Sequence, residues 1–405
     1  MNSENFVNKL LDGVEVRWKP LGEVLVRTKG TKITAGQMRE LHKDGAPVKI
    51  FAGGKTVAFV DFEEIPEKDV NYEPSIIVKS RGIIEFEYYN RPFSHKNEMW
   101  SYHSNDKDID IKYIYHFLKL NEPHFQSIGS RMQMPQIATP DTDKFEIPIP
   151  CPENPQKSLE IQAEIARILD AFTELAAELI IELTARKKQY NYYRDQLLSF
   201  KGGVVEWKTL GDIGDVKMCK RILKNETQFK GDVPFYKIGT FGKQADAYIS
   251  REIYESYKAK YSFPKKGDVL ISASGTIGRT VVYDGEPAYF QDSNIVWLDN
   301  DESVVTNRYL WHFYRIAKWF VSEGGTIDRL YNDNIKKTKI PVPYPNDPER
   351  SLAEQERVAA ILDKFDTLAH SNREGLPREI ELRQKQYEHY RDLLLNFPKP
   401  AQVEA

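Results

Sequence analysis

Apolar positions in two stretches of this chain recur with alternating spacings of four and three. Ile161, Ile165, Ile168, Phe172, Leu175 and Leu179 form the first seam, the heptad periodicity of a helix packed along another helix. A further spacing of four leads to Leu183, after which Arg186, Tyr190, Tyr193, Leu197 and Phe200 resume the alternation. The extra four falls within three tetrads, FTEL, AAEL and IIEL, at 172–183. Continuous from Ser158 to Phe200, such a helix would run about 64 Å. The second seam is Val358, Ile361, Phe365 and Leu368, then Leu376, Ile380, Tyr387, Tyr390, Leu394 and Phe397. Between its halves it is longer than the first, and the excess holds Gly375, Leu376 and Pro377. Proline removes a backbone donor and crowds the preceding turn, so a kink or break is expected near Asn372–Pro377. Two matching seams in one chain most simply bury each other, which predicts an antiparallel coiled-coil pair. Docking of partners would then use other faces, such as the ends rich in Arg, Lys and Tyr.

Outside the seams the pattern changes to short alternating runs with Gly and Asn turns, the mark of strands. Each of two such regions closes with one amphipathic helix, expected at Asp110–Leu120 and Asn307–Phe320. Two mixed α/β units joined by two long helices is the predicted fold class. Gly267–Arg279 reads as strand, small-residue turn and strand, and its counterpart is Ser75–Glu87 with Arg81-Gly82 at the turn.

The two halves repeat each other. RKKQYNYYRDQLLSF at Arg186–Phe200 returns as RQKQYEHYRDLLLNF at Arg383–Phe397, with about two-thirds of positions identical, and Ser158–Leu175 returns at Ser351–Leu368. Each helix follows a Pro-punctuated exit strand, Ile147–Pro152 and Ile340–Pro345. Trp18-Lys19-Pro20-Leu21-Gly22 matches Trp207-Lys208-Thr209-Leu210-Gly211. Phe93, Asn97 and Trp100 match Phe290, Asn294 and Trp297 at a constant offset, and Tyr113, His116 and Phe117 match Tyr309, His312 and Phe313. Leu10–Gly13 aligns with Ser199–Gly202, the end of the first long helix, so the repeat is circular. The expected domains are 1–150, a spacer helix at 151–200, 201–345, and a second spacer helix at 346–405. An object with two similar ends is governed by the distance between them.

Length suits two globular units plus connectors: 405 residues exceed one ordinary domain. No run approaches the roughly 18 apolar residues of a membrane span, and the polar N-terminus does not resemble a signal peptide. Cys151 and Cys219 are spaced for neither a zinc site nor a disulfide framework. A cytoplasmic protein, with no membrane partner and no bound metal, is expected. Net charge is −3 overall, which lacks the signature of a free-standing nucleic-acid binder. By segment it is about −2 for 1–150, −2 for 151–200, +4 for 201–345 and −3 for 346–405. Binding to DNA would therefore need a partner to neutralise phosphates, or charges sorted onto one face.

Catalytic motifs are missing. Ala52-Gly53-Gly54-Lys55-Thr56 superficially resembles a phosphate loop, but Lys49 stands where that motif needs glycine. No GxSxG, HExxH, GxGxxG or kinase signature occurs, and Asn346-Asp347-Pro348-Glu349 does not meet the Asn/Asp-Pro-Pro-aromatic motif of amino-methylating DNA methyltransferases. His116 and His312 read as packed core histidines; Asn97 and Asn294 read as turn-capping residues. What stands out instead is the turns, rich in side chains that contact base edges. In the first unit these candidates are Lys55, Lys79, Arg81, Arg91, His95, Lys96, Arg131, Gln133 and Gln136. In the second they are Lys220, Arg221, Lys243, Ser274, Thr276, Arg279, Gln291, Asp292, Ser293, Arg329, Tyr331, Asn332 and Asn334. The frame residues match between the units while these loop residues do not. One frame with two loop sets suggests two different sequences read.

The circular duplication, the KKQYNYYRDQLLSF/RQKQYEHYRDLLLNF pair, the tetrads and the Pro-rich exit strands together resemble the DNA-specificity subunit of type I restriction–modification enzymes, in the subgroup with TAEL-like tetrads. The resemblance spans essentially the whole chain; IIEL in place of TAEL is a departure that puts bulkier Ile180 and Ile181 on the helix. It implies a non-catalytic reader of double-stranded DNA with two target-recognition domains, each reading half of a bipartite, asymmetric site. The helices would set the gap: Phe172, Leu175, Leu179, Leu183, Tyr190, Tyr193, Phe365, Leu368, Tyr387 and Tyr390 are the spacer and partner-helix residues. One tetrad adds about 6 Å and roughly 40°, against about 3.4 Å and 35° per base pair; slippage in repetitive coding sequence is the other origin for the tetrads. The resemblance further implies two methylation subunits using S-adenosylmethionine for adenine-N6 chemistry on a flipped base. Two restriction subunits using ATP and Mg would complete the assembly, with no cofactor in this chain. The residues leave open a non-DNA scaffold, two protein-binding heads on a coiled-coil rod.

Overall fold

The computed structural model describes residues 10–130, 133–200, 204–320, 328–371 and 373–399. Contacts group the chain into two units, one of Met1–Ile180 with Ile380–Ala405 and the other of Ile181–Glu379.

In the first unit the strands are β1 (Val16–Pro20), β2 (Val26–Thr28), β3 (Val48–Phe51), β4 (Val57–Val60), β5 (Ser75–Lys79), β6 (Glu85–Tyr89), β7 (Phe93–His95), β8 (Trp100–His103) and β9 (Glu146–Pro150). They form an antiparallel sheet of order β2-β8-β5-β6, a mixed sheet β4-β3-β7 and a ribbon β1-β9. Helix α1 (Ile111–Leu120) follows β8, and α2 (Pro155–Leu197) follows β9. The second unit has β10 (Val205–Thr209), β11 (Gly214–Lys217), β12 (Val233–Tyr236), β13 (Tyr248–Ile249), β14 (Val269–Ser272), β15 (Thr280–Val282), β16 (Tyr289–Phe290), β17 (Ile295–Asn300) and β18 (Lys339–Pro343), with α3 (Asn307–Tyr314) after β17. Their order is β11-β17-β14-β15, β13-β12-β16 and β10-β18, the same topology nine strands later. Helices α4 (Pro348–His370) and α5 (Leu376–Leu395) end the described chain.

The strands β5 and β14 at the heart of the two four-stranded sheets are buried on both faces, and the period of two divides them cleanly. Ile76 and Val78 face the core shared with Tyr113 and Phe117 of α1 and Ile161, Ile165 and Leu169 of α2, whereas Ile77 faces Phe51 and Phe93 of the mixed sheet. Likewise Val269 and Ile271 join Tyr309 and Leu310 of α3 and Val358 and Leu362 of α4, while Leu270 joins Phe235 and Tyr289.

That alternation corrects one pairing. Trp100 lies opposite Val78 on the helix side and donates from Nε1 to Thr142 Oγ1 at 3.1 Å. Trp297 lies opposite Leu270 and packs into the other core; Val296, opposite Ile271, takes the helix-side place. The two tryptophans match by offset but not by face, because a slip of one residue inverts a strand.

The exits of β9 and β18 repeat in detail. Cys151 and Tyr344 both adopt left-handed backbone, φ 46° and 48°, and their N–H groups donate to Glu15 O at 2.8 Å and Val204 O at 2.9 Å. Asn154 and Asp347 then accept from Lys157 N and Arg350 N, capping the long helices.

The helical seams serve two neighbours rather than one. Ile161, Ile165 and Leu169 are fully buried against the first unit's own sheet and α1, as Val358 and Leu362 are in the second. Helix meets helix through aromatics, half-buried except for exposed Tyr193: Phe172 stacks on Tyr390 with centroids 5.3 Å apart, and Tyr193 on Phe365 at 5.3 Å. These are the same Phe–Tyr pair made twice with antiparallel sense, each worth about 0.5–1.5 kcal/mol beyond its burial. Leu175, Leu179 and Leu183 are half-buried, Leu368 is exposed, and Ile180 and Ile181 are exposed at the tetrad. Tyr190 is buried in the second unit and Tyr387 packs half-buried against the first unit's core.

The expected break is present between His370 and Leu376; Asn372 lies outside the described residues, as do Lys201 and Gly202. A Cβ on Gly375 would sit 2.2 Å from Thr367 O, so the end of α4 folds back on a position only glycine can fill. Pro377 stands at the second position of α5, where its missing donor costs nothing. Helix α3 is shorter than expected, stopping at Tyr314. Trp319 then leaves the helix to lay its indole on Gly278, where a Cβ would be 2.5 Å from Nε1.

Candidate nucleic-acid interface

At one edge of the first unit, three turns distant in sequence meet through backbone hydrogen bonds. Ile137 N donates to Ser80 O at 3.0 Å and Gly82 N to Pro135 O at 2.9 Å. Ser80 Oγ donates to Glu98 O at 2.6 Å. The β3–β4 turn joins them, since Lys96 N donates to Phe51 O at 2.9 Å and a Cβ on Gly53 would lie 3.8 Å from Arg81 O. Gly82 and Gly54 have φ of 77° and 66°, so both turns need residues tolerant of left-handed backbone. The edge thus gathers Arg81, Gln136, Lys96, Lys55 and Gln133.

Arg81 and Gln136 form an isolated bridge, with Arg81 Nε donating to Gln136 Oε1 at 3.1 Å. Lys96 pairs with Glu98 at 2.7 Å. Lys55 and Gln133 are exposed; Arg131 lies outside the described residues. Asn97 is exposed at the tip of its turn.

Two of the expected contacts, Lys79 and His95, are corrected. Lys79 is buried, its Nζ bound to Glu85 at 2.6 Å and Glu87 at 2.8 Å. Burial opposes its charge, yet these carboxylates hold the ammonium above its ordinary value. His95 is fully buried with Nδ1 3.1 Å from Lys96 O, and burial pushes its pKa down, so it is a neutral core residue. Arg91 is exposed but lies at the far end of β6 from Gly82. A lysine or a histidine in a strand looks alike in sequence whether it faces solvent or core.

The second unit builds the same edge differently. Leu330 N donates to Ala273 O at 2.8 Å and Ala273 N to Asn294 O at 2.7 Å. Asn294 Oδ1 accepts from Ser274 Oγ at 2.8 Å and from Arg329 Nη2 at 3.0 Å, so one amide ties all three turns together. Gln291 Oε1 accepts from Ile238 N at 2.9 Å, and Asp292 pairs with Arg221 at 2.9 Å. Ser293 supplies the left-handed turn residue, φ 53°. Arg279 Nη1 donates to Phe241 O at 3.0 Å. Ser274 is buried, which corrects its reading as a contact: it acts on the loop, not outward.

Exposed around this frame are Lys243, Thr276, Lys220 and Tyr331. Lys220 Nζ sits over the Tyr261 ring at 5.1 Å. Tyr331 caps the short helix Asn332–Lys337, which carries Asn332 and Asn334. The two edges present different chemistry on one frame, the juxtaposition direct readout requires.

Sequence reasoning missed a second set of polar residues. Gln162 is fully buried in α2, with Oε1 accepting from Asp110 N at 3.0 Å and Nε2 donating to Asp108 O at 3.1 Å. Gln355 does the same in α4, with Thr306 N at 3.0 Å and Val304 O at 2.9 Å. His116 and His312 are core histidines with a further job: Nε2 meets Asp170 Oδ1 at 2.8 Å and Asp363 Oδ1 at 2.6 Å. The signal was available, because Gln162/Gln355 and Asp170/Asp363 are identical between the repeats although they stand in apolar stripes.

A two-unit recognition frame on paired helices defines a class, and the sequence matches it. The family described as type I restriction modification DNA specificity domain matches residues 15–185 and again 204–382, and the chain belongs to that family. It is 46% identical over 413 residues to a Haemophilus influenzae protein described as a type I restriction enzyme specificity subunit, covering 98% of this chain and 99% of that one. It is 36% identical over 421 residues to the specificity subunit of the Escherichia coli type I restriction enzymes EcoR124I and EcoR124II, covering 100% of both. The crystal structure of a type I restriction–modification S subunit from M. genitalium shares the fold with a TM-score of 0.63 at 16% identity, over 96% of this chain and 98% of that one. Another solved chain, from work on assembly of the type I restriction–modification system, matches with a TM-score of 0.54 at 15% identity, over 94% and 97%. Among the described residues, no helix is long and apolar enough to cross a membrane.

Proposed function

We propose that this chain is the non-catalytic DNA reader of a type I restriction–modification complex in the cytoplasm. Residues 1–150 and 201–345 are its target-recognition domains, and 151–200 and 346–405 its spacer helices. Each domain reads one half of a bipartite, asymmetric site, and the helices set the unspecified gap. Two methylation subunits bind S-adenosylmethionine and methylate adenine N6, and two restriction subunits use ATP and Mg; this chain directs both. The observation that carries the reading is one strand topology built twice with unlike edges: Arg81, Lys96 and Gln136 in one, Ser274, Gln291, Asn294 and Arg329 in the other. Net charge of −3 fits a reader whose partners supply most phosphate contacts. The test is a genome-wide map of N6-methyladenine in cells with the cognate methylation subunit, with and without this chain. A chain-dependent motif of two unlike half-sites around a fixed gap is expected. No such motif, with the methylation subunit active beside another specificity subunit, would move the weight to the scaffold reading.

A further inference from the structure

The two recognition units rest on their helices through apolar contacts, and apolar contacts are non-directional. Ile161, Ile165 and Leu169 of α2 hold the first unit's core to the helix without fixing one angle against small slides and rotations. Hydrogen bonds are directional, and each unit makes them to its own helix at two points. Gln162 grips the backbone just before α1, at Asp108 and Asp110. Asp170, two turns and about 12 Å further along α2, receives His116 Nε2 at 2.8 Å and Lys112 Nζ at 2.5 Å. The second unit repeats the device with Gln355 at Val304 and Thr306. Asp363 there receives His312 Nε2 at 2.6 Å and the Arg308 guanidinium. Two directional fasteners along a helix define an orientation; one would leave a pivot.

We infer that the pairs His116–Asp170 and His312–Asp363 are positioning residues that hold each recognition unit at one angle on its own helix, and so restrict the complex to one gap length. The inference rests on the reading of the chain as a bipartite DNA reader. The histidine side of each pair is buried, and the Nδ1 atoms of both His116 and His312 meet no hydrogen-bond partner. With Nδ1 unprotonated, Nε2–H is the donor, and the imidazole is committed to its aspartate. Both copies keep the Nε2 bond although Nδ1 is left buried without a partner, which carries a cost.

The copies differ in reinforcement. In the second unit Arg308 also binds Glu356, and Arg315 binds Asp366 and Tyr190. In the first, Lys112 binds Asp170, while Lys119, at the place of Arg315, pairs with Glu122 instead of α2. The first unit therefore depends more on its histidine.

The test uses the full chain with its methylation subunit on duplexes carrying the mapped site at its natural gap and at gaps one base pair shorter and longer. Wild type methylates only the natural gap. His116→Phe and Asp170→Ala raise gap-shifted methylation relative to the natural gap by about ten-fold while half-site preferences stay unchanged. His312→Phe shows a smaller rise. His116→Gln, whose amide nitrogen falls near Nε2, returns to the wild-type pattern. If His116→Phe fails to fold, Asp170→Ala, at a partly exposed carboxylate, decides alone. Folded Asp170→Ala confined to the natural gap overturns the inference, as does a half-site change in place of a gap change. A wild type that directs no two-part methylation overturns the underlying reading instead.

Discussion

Asn294→Ala separates the recognition edge from the frame that carries it. The Asn294 amide oxygen accepts from Ser274 Oγ at 2.8 Å and Arg329 Nη2 at 3.0 Å, while its backbone oxygen independently holds Ala273 N at 2.7 Å. Truncation to alanine removes the side-chain hub and leaves the backbone anchor. The neutral bond from Ser274 is worth about 1 kcal/mol, and the charge-assisted one from half-exposed Arg329 about 1.5 kcal/mol at the low end of its class. Water reaching the edge recovers part of this, so the ordering lost lies at roughly 1.5–2.5 kcal/mol, a factor of about 10–60. That cost is transferred to binding, because the three turns must then be ordered by the DNA. The assay is fluorescence anisotropy of the assembled methyltransferase on three duplexes: intact site, first half scrambled and second half scrambled. Discrimination at one half-site should fall by about 10–60-fold with the other unchanged. Ser274→Ala should cost about five-fold, and the double variant should add little to Asn294→Ala, since both remove one bond. Equal losses at the two half-sites, or unchanged discrimination with a lowered melting temperature, would refute the hub.

Deleting Ile180–Leu183 shortens α2 by one tetrad, about 6 Å and roughly 40° of rotation. Methylation mapping should then show a shorter gap with both half-sites intact; altered half-site bases at an unchanged gap would defeat the spacer reading. His116 gives a pH dependence: burial, opposed by the Asp170 bond, holds its pKa below the ordinary 6.5. Between the folded value and 6.5 the unfolded chain binds a proton that the native chain refuses. This contribution to stability is therefore complete above pH 6.5 and is lost as pH falls toward the folded value, at up to about 1.4 kcal/mol per pH unit. Melting temperature against pH should show this slope in wild type and a shallower one in His116→Gln, since buried His95 contributes in the same direction; an identical slope in both excludes His116 as a source.

The architecture was legible because duplication let the chain act as its own comparison. The repeated exits at Ile147–Pro152 and Ile340–Pro345, the helices after them and the break before Pro377 all follow from residues that match or fail to match between halves. What was not legible concerns facing. Trp100 and Trp297 share an offset, but the ladder registers put them on opposite sides of equivalent sheets. Lys79 was read as a surface cation because nothing local announces that Glu85 and Glu87, across the hairpin, enclose it. Ser274 was read as a contact, whereas its partner Asn294 was the residue organising the edge. Side-chain direction in a turn depends on neighbours tens of residues away, and sequence spacing carries no record of them.

The seams were read correctly as core and incompletely as to which core. A helix that packed only on its twin would bury its a and d positions evenly. Here burial is deepest at the seam residues Ile165 and Val358 and at Leu169 and Leu362, one position round from Ile168 and Ile361, where each helix faces its own unit. The twin helix receives the half-buried aromatics Phe172 and Phe365, each stacked on a tyrosine. The division has a physical logic. The deep apolar contact, with its buried Gln and His–Asp fasteners, joins parts whose angle, on the proposed reading, would decide which bases are reached. On the proposed reading the shallower aromatic seam joins helices whose length would set the gap, and half-buried stacks tolerate the gain or loss of a turn better than a close-packed core, where one methylene is already felt. On that reading, rigidity is concentrated where recognition would need a fixed angle, and tolerance where the spacing between half-sites would change.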